Sequence, residues 1–215
     1  MKLSIRNKKN KSMSAYFITG IGTGIGKTIT SAVIVEAMQF DYWKPIQSGD
    51  LDKSDTMKVR SLVQNKKTIF HPERFLLNSA LSPHVSAQID EVEMNLTDFK
   101  LPNTRNNLII EGAGGLMVPI NNKPDFMIDL IKHLGLEVIL VTSNYLGSIN
   151  HTILSINAIR QKNIQLKGVV VNGASNSESE MIIEKFSGMP ILFRIPHLEH
   201  INANEISSLT NVVKL

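Results

Sequence analysis

The sequence predicts an α/β protein, a doubly wound and mostly parallel sheet with helices on both faces. Three observations predict it. Unbroken apolar runs of strand length recur between segments whose apolar residues fall at helical spacing. Those runs lack the alternation of a half-exposed sheet, which is what strands covered on both faces look like. The first run, Tyr16-Phe17-Ile18, ends in a glycine-rich turn that opens directly into a helix.

That junction carries the chemistry. Residues 15–28 read AYFITGIGTGIGKT and are followed by the helical pattern ITSAVIVEAMQ. Glycines let backbone N–H groups curl around phosphate oxygens, and a helix N-terminus adds positive partial charge. Lys27 would reach terminal phosphates and the Thr28 hydroxyl would ligate Mg²⁺. The spacing departs from the usual G-x-x-x-x-G-K-[ST], because five residues separate Gly20 from Gly26-Lys27-Thr28. A plain glycine turn before a helix is the rival explanation. The G-K-T placed where strand meets helix favours phosphate binding, and with it a P-loop NTPase-like fold.

Composition narrows the function classes. The chain has 215 residues and no Cys, which excludes disulfides, thiolate metal sites and a cysteine nucleophile and suits a reducing cytoplasm. The six His are scattered without close zinc spacing. No apolar run is long enough to span a bilayer, and no signal-peptide core is present. The net charge of +4 comes from the N-terminus: five of the 23 basic residues lie in the first fifteen positions, and the other 18 nearly balance 19 acids. The body therefore has no basic footprint for nucleic acid, and neither nucleic acid nor membrane is an expected partner. Residues 1–14 are expected to be a disordered basic tail, with Met13 a candidate natural start, and residues 15–215 one α/β domain.

Along the chain, Phe40–Trp43 reads as a short strand ended by Lys44-Pro45, and residues 47–54 as a loop. Ser54 is placed to cap a helix from Asp55 to about Gln64. Residues 65–82 read as irregular, a short helix follows Ser82-Pro83-His84, and another is expected near 95–100. Asn107–Glu111 is a strand delivering a carboxylate at its C-terminal end, before Gly112-Ala113-Gly114-Gly115. Further helices are expected at 125–133, 148–162, 177–186 and about 204–212, with strands at 136–141, 167–171 and 190–195. Lys44–Ser48, Glu111–Gly115, Thr142–Asn144, Asn172 and Pro196-His197 all follow strand C-termini, which share one rim of a parallel sheet. Singly, most would pass for turn residues; their joint placement suggests a site.

At these residues the chain resembles the dethiobiotin synthetase family. The matching stretches are TGIGTGIGKT (19–28), KPIQSG (44–49), SD (54–55), SPHVSAQ (82–88), EGAGGLMVPI (111–120), LGSINHT (146–152), VVN (170–172) and IPHL (195–198). The resemblance implies an ATP- and Mg²⁺-dependent cytoplasmic ligase of biotin biosynthesis, a homodimer that carboxylates 7,8-diaminononanoate with CO₂ or bicarbonate and closes the ureido ring. It implies Thr28, Asp55 and Glu111 as Mg²⁺ ligands and Lys27 as the cation on the γ-phosphate. Lys44 and Thr23 would hold the carbamate and the attacked phosphate, and Ser48 the amine end. Gly24, Ile25, Gly26, Ile29, Gly112, Ala113 and Gly114 would line the nucleotide. Asn172 would read the adenine edge, flanked by Pro196, His197 and Leu198. Gly147, Ser148 and Asn150 would bind the substrate carboxylate near the dimer interface. Gly22 and Gly24 depart from the family pattern, which often has an acidic residue in place of Gly24.

Two other classes share the fold. A partition or site-selection ATPase carries a deviant loop K-G-G-x-G-K-T, whose signature lysine is replaced here by Gly22. A cobyrinate-type amidating enzyme needs a glutaminase domain with a Cys, and this chain has no Cys.

Overall fold

The computed structural model describes residues 13–215. The expected tail therefore lies outside the described residues as far as position 12. Ser14 is already joined to the sheet: its N–H donates to Asn107 Oδ1 at 2.9 Å and its carbonyl accepts from the Leu108 N–H.

The described strands are β1 (Ala15–Gly20), β2 (Asp41–Trp43), β3 (Ile46–Ser48), β4 (Phe70–His71), β5 (Phe75–Leu77), β6 (Leu108–Gly115), β7 (Glu137–Thr142), β8 (Leu166–Asn172) and β9 (Ile191–Ile195). Seven of them form one sheet in the order β4-β2-β6-β1-β7-β8-β9, and every ladder in it is parallel. The helices are α1 (Lys27–Met38), α2 (Asp55–Leu62), α3 (Pro83–Ile89), α4 (Met127–Leu134), α5 (Ser148–Gln161), α6 (Ser177–Ser187) and α7 (Ala203–Ser208).

The two-faced burial expected of such strands is visible residue by residue. Phe17, Ile110 and Leu140 enter a core shared with Ile128 and Ile131 of α4 and Ile156 and Ile159 of α5. Their neighbours Ile18, Ile109 and Ile139 enter a second core with Val33 and Ile34 of α1, Val59 of α2 and Ile206 of α7. Successive side chains leave a strand on opposite faces, so both faces must be covered and both sets must be apolar.

Local stop and start signals account for several helix ends. Ser54 caps α2 by accepting the Met57 N–H, Gly135 and Gly188 end α4 and α6 in the left-handed conformation, and Asn202 caps α7. Four local readings are corrected. Residues 47–54 are not simply a loop, because β3 pairs in parallel with β5 as a separate small sheet. Residues 65–82 are not wholly irregular, since they contain β4 and β5. Strands of two or three residues are too short to leave a periodicity, and their pairing partners lie about thirty positions away. The expected helices near 95–100 and 204–212 shrink to a 3₁₀ turn at Leu96–Asp98 and to α7 followed by a 3₁₀ turn at Thr210–Val212.

Candidate active site

A cleft of about 840 Å³ opens at the C-terminal rim of β1, β2 and β6. The loop after β1 forms one wall. Gly24 and Gly26 adopt left-handed conformations, φ 73° and 96°, and Gly26 is the N-cap of α1 with no side chain bonded over the helix end. The first N–H groups of α1 have no intrahelical partner, as at any helix start, and are oriented for an anion. Lys27, itself buried, donates to Gly22 O at 3.1 Å across the loop. Burial lowers its pKa to about 8, against the opposing attraction of Glu111.

Register brings in the second wall. Trp43 of β2 pairs with Ile110 of β6, so Lys44 and Glu111, each one residue further on, arrive side by side. Lys44 Nζ lies 3.3 Å from Glu111 Oε1 and 2.8 Å from Asp55 Oδ2 at the start of α2. Burial opposes a charge on Lys44, but Glu111 and Asp55 outweigh it and hold its pKa above the ordinary lysine value. Burial likewise opposes charge on Asp55, and Lys44 outweighs that too, so Asp55 is held below the ordinary carboxylate range. Thr28 Oγ1 donates to Glu111 Oε1 at 2.9 Å. Gln47 on β3 accepts the Asp55 N–H at 3.1 Å and so fixes the start of α2. Ser48 lines the same cleft, and its buried hydroxyl has no hydrogen-bond partner.

The structure thus brings together Thr23, Gly24, Gly26, Lys27, Thr28, Ile29, Lys44, Ser48, Asp55, Glu111, Gly112, Ala113 and Gly114 around one cleft. Other expected site residues stand off its lining. Asn172, at the end of β8, instead donates to Ile25 O at 3.1 Å, behind the phosphate loop. Pro196 and His197 are exposed after β9, and Leu198 packs against the α1-side core. Gly147, Ser148 and Asn150 form the start of α5, with Tyr145 and Leu146 exposed just before it.

Two features were missed in the sequence. Tyr42 is fully buried and donates from its hydroxyl to Glu111 Oε2 at 2.9 Å; burial and the adjacent Glu111 charge hold its pKa well above the ordinary tyrosine value. No local spacing marked it, because the contact is made by the pairing of β2 with β6. Glu180 of α6 is the other. It accepts from Asn144 Nδ2 and the Asn176 N–H, both at 2.9 Å, and pairs with Arg194 of β9, tying the loops after β7 and β8 together. No sequence spacing announces that cluster.

A parallel sheet with a phosphate loop, a helix start left open for an anion, and a cation between two carboxylates define a P-loop nucleotide-dependent protein. A family model described as an AAA domain matches residues 14–205. A Christiangramia forsetii protein named ATP-dependent dethiobiotin synthetase BioD is 48% identical over 181 residues, covering 84% of this chain and 86% of that one. One of the same name from Cytophaga hutchinsonii is 45% identical over 197 residues, covering 91% and 95%. The chain belongs to the ATP-dependent dethiobiotin synthetase family.

Solved structures are similar in fold alone. The septum site-determining protein MinD of Pyrococcus horikoshii, with Mg-ADP, superposes with a TM-score of 0.58 at 13% identity, covering 93% of this chain and 95% of that one. A ParA family ATPase from Chlorobium tepidum superposes with a TM-score of 0.52 at 16% identity, covering 93% and 98%. No helix among the described residues is long and apolar enough to cross a membrane.

Proposed function

We propose that this chain uses ATP to carboxylate 7,8-diaminononanoate with CO₂ and close the ring to dethiobiotin, releasing ADP and phosphate. The observation that carries the reading is the buried Lys44 ammonium, poised between Asp55 and Glu111 against the phosphate loop in a cleft that also holds Ser48. In the reaction one amine takes up CO₂ and releases a proton, giving a carbamate. A carbamate oxygen attacks the γ-phosphorus and ADP departs. The second amine then attacks the carbonyl carbon of the mixed anhydride and phosphate leaves. Two anionic oxygens must approach each other in the phosphoryl transfer, and fixed cations lower that repulsion most in the transition state. Lys27 and Lys44 supply the cations, Thr23 a hydroxyl at the loop, and no protein nucleophile is needed.

The site suits Mg²⁺. Thr28, Asp55 and Glu111 offer a hydroxyl and two carboxylates, the hard oxygen donors it takes, and the ammonium bridging both carboxylates stands in for its charge. Among the described residues no group of three or more His, Cys, Asp or Glu could hold a metal alone. That agrees with an ion whose remaining ligands are nucleotide phosphates and water. Bound there, Mg²⁺ would neutralise phosphate charge.

In this reading residues 15–215 act as one cytoplasmic synthetase domain, Asn172 with Pro196, His197 and Leu198 holds the adenine, and Gly147, Ser148 and Asn150 hold the diamine's carboxylate in a homodimer. Tyr145 and Leu146, exposed just before that turn, support an interface there.

The decisive experiment measures ADP release. It is expected only when 7,8-diaminononanoate and bicarbonate are both present. Lys44→Gln is expected to bind ATP nearly normally and lose coupled turnover by a hundredfold to a thousandfold, roughly the cost of removing one such charge. Full-rate ATP hydrolysis with neither substrate, or unchanged turnover in Lys44→Gln, overturns the reading.

A further inference from the structure

The two oxygens of the Glu111 carboxylate are divided between two sets of partners. Oε1 receives the Thr28 hydroxyl at 2.9 Å and the Lys44 ammonium at 3.3 Å, on the cleft side. Oε2 receives the Tyr42 hydroxyl at 2.9 Å. The Tyr42 ring has little freedom. It is fully buried, sits in register between Ile109 of β6 and Phe70 of β4, and packs tilted against Phe70 at 5.9 Å between centroids. A carboxylate at the end of a short side chain rotates about its last bond unless something holds it, and ligand orientation is what partners behind a ligand supply.

We propose that Tyr42 is a positioning residue, its hydroxyl holding Glu111 with Oε1 turned to Thr28 and Lys44, the orientation in which Glu111 takes the divalent cation of the nucleotide complex. The inference rests on the cation role proposed above for Glu111. Tyr42 itself is absent from the cleft lining and acts through the carboxylate. Its hydroxyl is a neutral donor, so it fixes direction without adding a charge to compete with the cation. Without it, Oε2 is left buried with no donor, and the carboxylate turns to share its charge with Lys44 and Thr28 in other geometries.

Tyr42→Phe removes the hydroxyl and keeps the ring. Calorimetry of ADP with excess Mg²⁺ and of ADP in EDTA separates positioning from packing. The variant is expected to bind Mg·ADP about tenfold more weakly, the usual scale for losing a partner that orients a metal ligand. Its affinity for ADP in EDTA is expected to stay unchanged. Equal weakening in both conditions, or no weakening in either, overturns the proposal. Glu111→Gln separates this from the underlying reading: if Glu111→Gln binds Mg·ADP as the wild type does, the cation role of Glu111 falls. If Glu111→Gln loses Mg·ADP affinity while Tyr42→Phe does not, the positioning role alone falls. Should Tyr42→Phe not fold, Tyr42→Met removes the same hydroxyl with a side chain that adapts to the core, and is read the same way.

Discussion

Asn172 Nδ2 stands directly over the Cα of Gly26, so that a Cβ at residue 26 would lie 2.2 Å from it. The same amide donates to Ile25 O at 3.1 Å, which braces the phosphate loop from the end of β8. Gly26 is therefore required twice, by its left-handed φ of 96° and by the contact. Gly26→Ala is expected to displace Asn172, release the loop and weaken ATP binding tenfold or more, roughly 1.4 kcal/mol or above. Adding Asn172→Ala should not restore the affinity, because the brace on Ile25 O is then lost outright and the φ strain remains. Calorimetric titration of the single and double variants checks both statements; an unchanged affinity in Gly26→Ala would show that the loop adapts.

Gly24 leads to the second prediction. It lines the cleft, its φ is 73°, and a Cβ built on it meets nothing within 4 Å. A side chain at that position would project into open space beside the phosphate loop, where the family resemblance implies that an acidic residue often stands. With that wall missing, nucleotide selection should be loose. ATP, GTP and CTP are expected to bind within about an order of magnitude of one another, or about 1.4 kcal/mol. Tight binding of ATP alone counts against the idea.

The third prediction concerns acid stability at the other end of the sheet. Asp41 begins β2 and is fully buried. It accepts from Thr104 Oγ1 at 2.7 Å, the Ile69 N–H and Asn106 Nδ2 at 3.0 Å each, and faces His71 Nε2 at 3.2 Å. Burial by itself would raise its pKa, but these donors outweigh it and the pKa is lowered. A carboxylate whose pKa is lower folded than unfolded stabilises the fold above its unfolded value of about 3.9 and loses that contribution as pH falls through the folded value. Wild-type Tm should therefore drop more steeply than that of Asp41→Asn as pH falls below about 4. At pH 7 the variant should be less stable by several degrees, with coupled turnover unaltered, because the cluster is remote from the cleft. Parallel Tm slopes in the two proteins would show that Asp41 does not titrate as argued.

The distribution of apolar residues determined the layered parallel sheet. Strands such as Glu137–Thr142 are apolar at consecutive positions, and only burial on both faces makes that favourable. The glycines and Lys27-Thr28 determined the phosphate loop in the same way, since glycine φ freedom and a helix start are local properties. Asp55 was legible because Ser54 caps its helix through a bond only three residues long. What the tertiary structure decided is everything that depends on strand order. Placing β2 against β6 in the register Trp43 to Ile110 brings Lys44 to Glu111 across 67 positions of chain, and carries Tyr42 to the other oxygen of the same carboxylate. The β3–β5 pairing that seats Gln47 and Ser48 belongs to the same class, as does the Asn172 brace across 147 positions. None of these is encoded by a spacing, because hydrogen-bond partners chosen by sheet topology are set by global packing and leave no local periodicity to read.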